Sequence, residues 1–376
     1  MRAPAGRAQQ VSTRIAFLGA GIGMAAWAPL VPFAKARAGL DDGMLGLLLL
    51  CLGAGSILAM PLSGALAARF GCRRVLLVAF AVALLAMPVL ASASSLPVLA
   101  LSLFVFGAGI GSVDCVMNIQ AVIVERDSGR AMMSGFHGLY SLGGIVGAGG
   151  VSLLLALGAT PLLAVLVVVA AILGALACAA PHFLAYGSRG DGPAFAVPHG
   201  IVLFIGLLCF ILFLTEGSVL DWSAVFLTQE HGLDAAYGGL GYAVFSVTMT
   251  AGRLAGDAIV QRLGGTRIII GGGLCAAGGL ALATLAPGWP VALLGYALVG
   301  AGCSNIVPVL FSATGRQSVM PEHIAIPAIT TLGYAGILAG PAAIGFVAHA
   351  TSLPAAFLVV VLLLLGVAAS GRVLKV

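Results

Sequence analysis

Long apolar runs dominate the chain, and each is closed by a short cluster of charged, proline or polar residues. The runs reach the roughly 20 residues that a bilayer core demands, and they are apolar all round instead of along one stripe. The pattern predicts twelve transmembrane helices over 14–36, 43–67, 74–93, 97–124, 132–157, 160–180, 199–228, 236–261, 267–286, 290–314, 322–349 and 353–371. The longest polar connection runs from Pro181 to Pro198 and holds Arg189, Asp191 and a proline- and glycine-rich stretch from Gly187 to Pro193. Such a stretch reads as a linker. It divides the chain into an N-terminal six-helix bundle over 1–180, a cytoplasmic linker over 181–198 and a C-terminal six-helix bundle over 199–376. Arg2, Arg7 and Arg14 precede the first run as they would in a secretory signal, but that run continues to Lys35. It is too long for a signal core and is expected to stay as the first helix.

Composition agrees with the pattern. Hydrophobic residues make up 61% and charged residues 8% of the chain, against roughly 45–50% and about 25% in soluble domains. The 54 glycines suit helix packing in lipid, which favours small residues at contacts. Seven cysteines, Cys51, Cys72, Cys115, Cys178, Cys209, Cys275 and Cys303, show no CxxC spacing, so neither a disulfide framework nor a metal site is expected. Charge then sets orientation. With the N-terminus inside, fifteen of the seventeen Lys and Arg residues lie on the cytoplasmic side, and Lys35 and Arg37 alone lie outside, the bias that orients membrane proteins. The net charge of +5 follows from this topology and gives no reason to expect nucleic acid as a partner.

The two halves resemble each other. Gly39-Leu40-Asp41 recurs as Gly232-Leu233-Asp234, and at the same offset of 193 Arg69, Gly71 and Arg74 recur as Arg262, Gly264 and Arg267. Further on, Gly109, Gly111 and Asp114 match Gly300, Gly302 and Asn305 at 191, and Tyr140 matches Tyr334 at 194. This predicts a parallel six-helix repeat, the arrangement in which two halves rock about a midplane site.

On these residues the chain resembles the major facilitator superfamily along essentially its whole length. The family's G-x-x-x-D-R-x-G-R-R loop is matched by Gly64, Arg69, Gly71, Arg73 and Arg74, with Ala68 in place of the acid. The resemblance implies a gating role for these arginines, and the missing acid removes the usual charge latch. Arg253 and Asp257, four residues apart on the eighth helix, are expected to supply a substitute ion pair. The segment Gly109-x-Gly111-x-x-Asp114-x-x-x-Asn118 is similar to the acid-x-x-x-Asn segment of the fucose:proton symporter group. Glu216-Gly217-Ser218 and Asp221-Trp222-Ser223 resemble bacterial permeases near that group. The first helix departs from it, since Gly21 to Pro32 holds no carboxylate. Family membership implies alternating access with helices 1, 4, 7 and 10 lining the cavity.

An ionisable side chain in a membrane helix is costly unless it faces a cavity or a partner. Asp114 lies roughly 24 Å along the fourth helix from the outer face, with Asn118 one turn on, and is the candidate proton-coupling or solute-binding carboxylate; a buried Asp bonded to a neighbouring helix is the plainer alternative. Asn305, read as its repeat mate, would share the site or serve as interhelical glue. Glu216 lies roughly 22 Å into the seventh helix, where Gly217 and Ser218 would let the helix break and expose backbone to a ligand. Asp221 lies nearer the interface, where it could simply be solvated. Trp222 suits either stacking on a sugar ring or an interfacial anchor. Tyr242, Ser246, Thr250, Arg253 and Asp257 form one polar stripe. His137 and Tyr140 sit one turn apart on the fifth helix, the histidine bonded at the helix end or titrating near neutrality, and Tyr140 and Tyr334 complete the candidate set. Gly143, Gly147, Gly336, Gly340 and Pro341 are expected at tight contacts, and Pro29 and Pro32 at a bend.

No Walker loop, metal-ligand cluster or nucleophile-base pair is visible, so an enzyme is not expected, nor a cofactor. The expectation is a secondary transporter of the bacterial inner membrane, moving a small polar, sugar-like solute by proton-coupled symport. Its partners are the solute, protons and membrane lipids, and it acts as a monomer. Proton-driven export of a drug or metabolite is the alternative within transport. A ligand sensor that moves nothing is disfavoured by the short termini and linker.

Overall fold

The computed structural model describes residues 5–40, 42–188, 196–234, 237–285 and 287–374. Among them, twelve helices are long and apolar enough to cross a membrane: α1 (Arg7–Ala38), α2 (Leu47–Phe70), α3 (Cys72–Ser92), α4 (Leu96–Ser128), α5 (Met133–Ala156), α6 (Pro161–His182), α7 (Gly200–Gln229), α8 (Leu240–Leu263), α9 (Gly265–Leu285), α10 (Trp289–Thr314), α11 (Glu322–Ala350) and α12 (Leu353–Ser370). Each predicted run finds its helix, and the first begins earlier than expected. Its polar opening turns fold through their own side chains, Ser12 and Thr13 donating to the Gln9 carbonyl at 3.0 and 2.7 Å while Gln9 Oε1 accepts from Gly6 N at 2.9 Å. Arg2, Asp41, Arg189, Asp191, Pro193 and Lys375, used above for topology, repeat and linker, lie outside the described residues.

The chain forms two compact units. One comprises Met1–Gly129, Leu139–Pro198 and Ser318–Thr331; the other comprises Arg130–Gly138, His199–Gln317 and Leu332–Val376. In the first, α4 packs on α1, α2 and α3, and in the second, α10 packs on α8 and α9 while α12 packs on α7 and α9. Arg37, one of the two basic residues placed outside, closes the end of α3 by donating to the Ala93 and Leu90 carbonyls at 2.7 and 2.9 Å, a cationic C-terminal cap.

Two helices are interrupted. In α1 a 3₁₀ turn at Ala28–Leu30 separates Arg7–Ala25 from Val31–Ala38, with the break at Pro29 as expected. In α10, Trp289–Cys303 and Ile306–Thr314 are separated at Ser304 and Asn305. The cause is Pro308, which lacks an N–H and crowds the carbonyl four residues before it, that of Ser304. By contrast, α7 runs unbroken from Gly200 to Gln229, which corrects the expected break at Gly217. A Cβ there would lie 3.1 Å from the Ile337 carbonyl, so Gly217 serves packing against α11.

Close glycine contacts fix the register of the repeat. A Cβ at Gly107 would lie 2.0 Å from the Leu52 carbonyl, and one at Gly300 2.2 Å from the Phe245 carbonyl. A Cβ at Gly109 would meet Ala83 N at 2.7 Å, and one at Gly302 would meet Ala276 N at 2.5 Å. All four correspondences have an offset of 193, as do the left-handed glycines Gly39 with Gly232 and Gly71 with Gly264. A Cβ at Gly143 would lie 2.3 Å from the Leu18 carbonyl and one at Gly336 2.2 Å from that of Phe210, which keeps 193 for α5 and α11 and gives 192 for α1 and α7. The expected pairing of Asp114 with Asn305 is therefore corrected: Asp114 corresponds to Val307, Asn305 to Ser112 and Tyr140 to Gly333. The glycine pattern alone could be aligned two ways, and only the contacts select one.

Candidate functional site

In the second unit, the α10 break brings membrane-embedded charges together. Freed by Pro308, the Ser304 carbonyl accepts from Arg253 Nε at 3.3 Å, and an Arg253 terminal nitrogen lies 3.8 Å from Glu216 Oε2 on α7. The Arg253 side chain is 9% exposed and Glu216 25%. Next to it, Asn305 donates to the Gly252 carbonyl and to Ser304 Oγ, both at 3.0 Å, while its buried Oδ1 has no hydrogen-bond partner. Gly256 makes room for that amide, since a Cβ there would lie 1.9 Å from Oδ1. Sequence spacing joined Arg253 to Asp257 along one helix; the pairing with Glu216 and the role of Ser304 were missed, although Pro308 was a readable sign of the freed carbonyl.

In the first unit, Asp114 is half-buried inside the unbroken α4. Asn118, 1% exposed, donates to the Asp114 carbonyl at 2.9 Å and to Asp114 Oδ1 at 3.4 Å, and its own buried Oδ1 has no hydrogen-bond partner. The flanking glycines let α2 and α3 close on α4: a Cβ at Gly111 would lie 2.7 Å from Ser56 Cα. Two residues beyond Asn118, on another face of α4, a polar knot escaped the sequence reading. Fully buried Gln120 donates to Thr13 Oγ1 at 2.9 Å and accepts from Leu184 N at 3.0 Å, fastening α1 and the segment after α6 to α4.

The remaining candidates are distributed. Asp257 accepts from Gly135 N at 2.9 Å, placing a carboxylate on the first turn of α5, where the helix dipole favours it. Gly135 leaves room for it, because a Cβ there would lie 2.3 Å from Asp257 Oδ2 and the carboxylate would have to shift. His137 Nδ1 contacts the Met133 carbonyl at 3.0 Å, and its ring lies 5.6 Å from that of Phe311. Trp222 Nε1 donates to the Pro341 carbonyl at 3.2 Å, tying α7 to α11. The Tyr334 ring lies 6.4 Å from Phe213, and the Tyr140 carbonyl fills the space of a missing Cβ at Gly21. Arg69, Arg73 and Arg74 line a pocket at the junction of α2 and α3. Arg126 at the end of α4 pairs with Glu322 at the start of α11, a contact between residues 196 positions apart with no local signature.

A buried arginine paired with a part-buried glutamate inside membrane helices, together with unsatisfied amide acceptors, suits reversible binding of a polar solute or ion. Comparison with known proteins agrees with that class. The Escherichia coli fucose:proton symporter shares the fold, with a TM-score of 0.80 over 98% of each chain at 18% identity. The human organic anion transporter MFSD10 does so with a TM-score of 0.75 over 97% of this chain and all of that one, at 17% identity. An uncharacterised MFS-type transporter of Yersinia pestis is 58% identical over 98% of this chain and 96% of its own. The model of the Major Facilitator Superfamily matches residues 15–325, and the chain belongs to that superfamily of multi-pass membrane transporters.

Proposed function

We propose that the protein is a proton-coupled symporter of a small polar, sugar-like solute in the bacterial inner membrane, with both termini cytoplasmic. The observation that carries this reading is the Asp114 and Asn118 pair inside α4: a half-buried carboxylate one turn from a buried amide oxygen that lacks a donor. A solute hydroxyl can satisfy that oxygen, and a carboxylate at this depth can carry the proton. Within the second unit, Asn305 and Glu216 are further candidates for holding polar groups of the solute or a proton. The fucose:proton symporter, which has this fold, supports the assignment. Residues 1–180 and 199–376 act as the two moving bundles, joined by 181–198.

The test begins with a thermal-shift screen of sugars, organic acids, amines and drugs, since a binder raises apparent stability by mass action. With the solute in hand, Asp114→Asn in proteoliposomes should lose accumulation driven by an imposed pH gradient while counterflow survives. Wild-type accumulation in that variant eliminates Asp114 as the coupling group; loss of binding alone assigns it to recognition.

Asp257 serves as a gate through its bond to the start of α5. Asp257→Asn weakens that anchor by about 0.5–1 kcal/mol and should increase cysteine labelling from the cytoplasmic side. Orientation is testable at Val197, 84% exposed: on a cysteine-free background, Val197→Cys should resist an impermeant thiol reagent in intact cells.

A further inference from the structure

Where the resemblance has an acid beside the arginines of the α2 and α3 junction, this chain has Ala68. Arg69, Arg73 and Arg74, with Ala68, Phe70, Gly71 and residues 185–187, line a pocket of about 610 Å³. Among the described residues none of the three arginines makes an ion pair. The wall formed by 185–187 is built in. Gly71 (φ +84°) leaves the space of its missing Cβ to the Ala185 carbonyl at 2.2 Å, and Gly187 does the same for that of Ala67 at 2.3 Å. Cys72 N and Arg73 N donate to the Tyr186 and Leu184 carbonyls at 3.3 and 2.8 Å. The amides of Cys72 and Arg73 are thus occupied, and the guanidinium groups are the donors the pocket offers among the described residues. Gln120 holds Leu184 from below.

The repeat shows that this is more than topology charge. Arg262 and Arg267 reproduce Arg69 and Arg74, but Thr266 stands at the position of Arg73, and a Cβ at Gly264 would meet nothing within 4 Å. The second half has the basic loop without the third arginine and, among the described residues, nothing packed into the space at Gly264. From the pocket, exposed residues Arg74, Val78, Ala81 and Leu85 recur at spacings of four, three and four along α3, with Val78 64% and Leu85 74% exposed. An apolar stripe on a membrane helix faces acyl chains, and this one ends at Arg74.

We infer that Arg69, Arg73 and Arg74 bind the phosphate of an anionic phospholipid headgroup, whose acyl chains lie along Val78 and Leu85. Basic pockets at helix ends on the positively charged side recognise such headgroups, and arginine's planar fork suits phosphate oxygens. The occupant supplies the negative charge that Ala68 cannot.

Thermal unfolding of the purified full chain in detergent tests this with three additions: phosphatidylglycerol, phosphatidylcholine and inorganic phosphate. Phosphatidylglycerol should raise the wild-type Tm, and the rise should fall by at least half in Arg73→Gln and in Arg74→Gln while persisting in Arg262→Gln. Each shift is read against the same variant without lipid, so a change in baseline stability does not obscure it. An equal rise with phosphatidylcholine, or undiminished rises in Arg73→Gln and Arg74→Gln, overturns the proposal. Equal losses in Arg262→Gln and Arg74→Gln overturn it in favour of diffuse charge, and an arginine-dependent rise with inorganic phosphate alone overturns the lipid assignment in favour of a soluble phosphate site.

Discussion

Neutralising Glu216 strands a guanidinium inside a membrane helix, and the cost can be bounded from the geometry. At 3.8 Å and an effective dielectric near 20, the Coulomb attraction is about 4 kcal/mol. Desolvation of an Arg253 side chain only 9% exposed offsets much of that. A double-mutant cycle of Glu216→Gln, Arg253→Gln and the pair should therefore return a coupling of about 1–2 kcal/mol, within the range for residues in contact. Arg253→Gln should cost about 1 kcal/mol more than Glu216→Gln, because it also removes the donor to the Ser304 carbonyl that Pro308 leaves without an intrahelical partner. Equilibrium unfolding by SDS titration from mild-detergent micelles gives the four free energies. Raising salt to 0.5 M should leave the coupling largely intact, since buried pairs are screened less than surface ones. Single-mutant costs that sum to the double within about 0.3 kcal/mol would refute a functioning ion pair.

Gly21→Ala sets a Cβ 2.1 Å from the Tyr140 carbonyl, so α1 and α5 must part, at about 1–3 kcal/mol; Gly149→Ala, with nothing within 4 Å, should cost nothing in the same unfolding assay. Gln120→Leu leaves the Leu184 N–H without its acceptor and Thr13 without its donor, a loss of about 2–3 kcal/mol. Hydrogen exchange should rise first at residues 182–187 if that bond fastens the segment.

The helices were legible because each apolar run must span a bilayer and each ends in charge or proline. What escaped the sequence were features that depend on neighbours. The α1 start escaped because Gln9, Ser12 and Thr13 satisfy their own backbone without any apolar signal. The α10 break was readable from Pro308, but Arg253 as the donor to the freed carbonyl was not, since nothing local links residues 253 and 304. Gly217 looked like a hinge and proved to be a contact, because a glycine in a membrane helix has both uses and only the position of Ile337 distinguishes them. Asp114, Asn118 and Glu216 stood out for the simple reason that polar groups are expensive in lipid.

The corrected register separates what the fold needs from what it does not. Gly107 and Gly109 recur as Gly300 and Gly302, because both halves close their helices by the same backbone approaches. Arg69 and Arg74 recur as Arg262 and Arg267, because both halves obey the same charge rule. Four ionisable residues away from the span ends do not recur: Asp114 corresponds to Val307, Arg253 to Met60, Asp257 to Gly64 and, at 192, Glu216 to Met24. Each half therefore builds its bundle without its counterpart's charge, so packing in the repeat does not demand any of the four. Asp257 illustrates the difference. At its equivalent, Gly64 lets α2 approach the His323 carbonyl within 2.5 Å of where a Cβ would sit, a contact of shape alone. Asp257 replaces shape with a charge on the α5 N-terminus, which a proton or a competing ion can weaken. A charge that packing does not require is the kind of group a transport cycle can use, and α4, α7 and α8 carry these charges on one side of the repeat only.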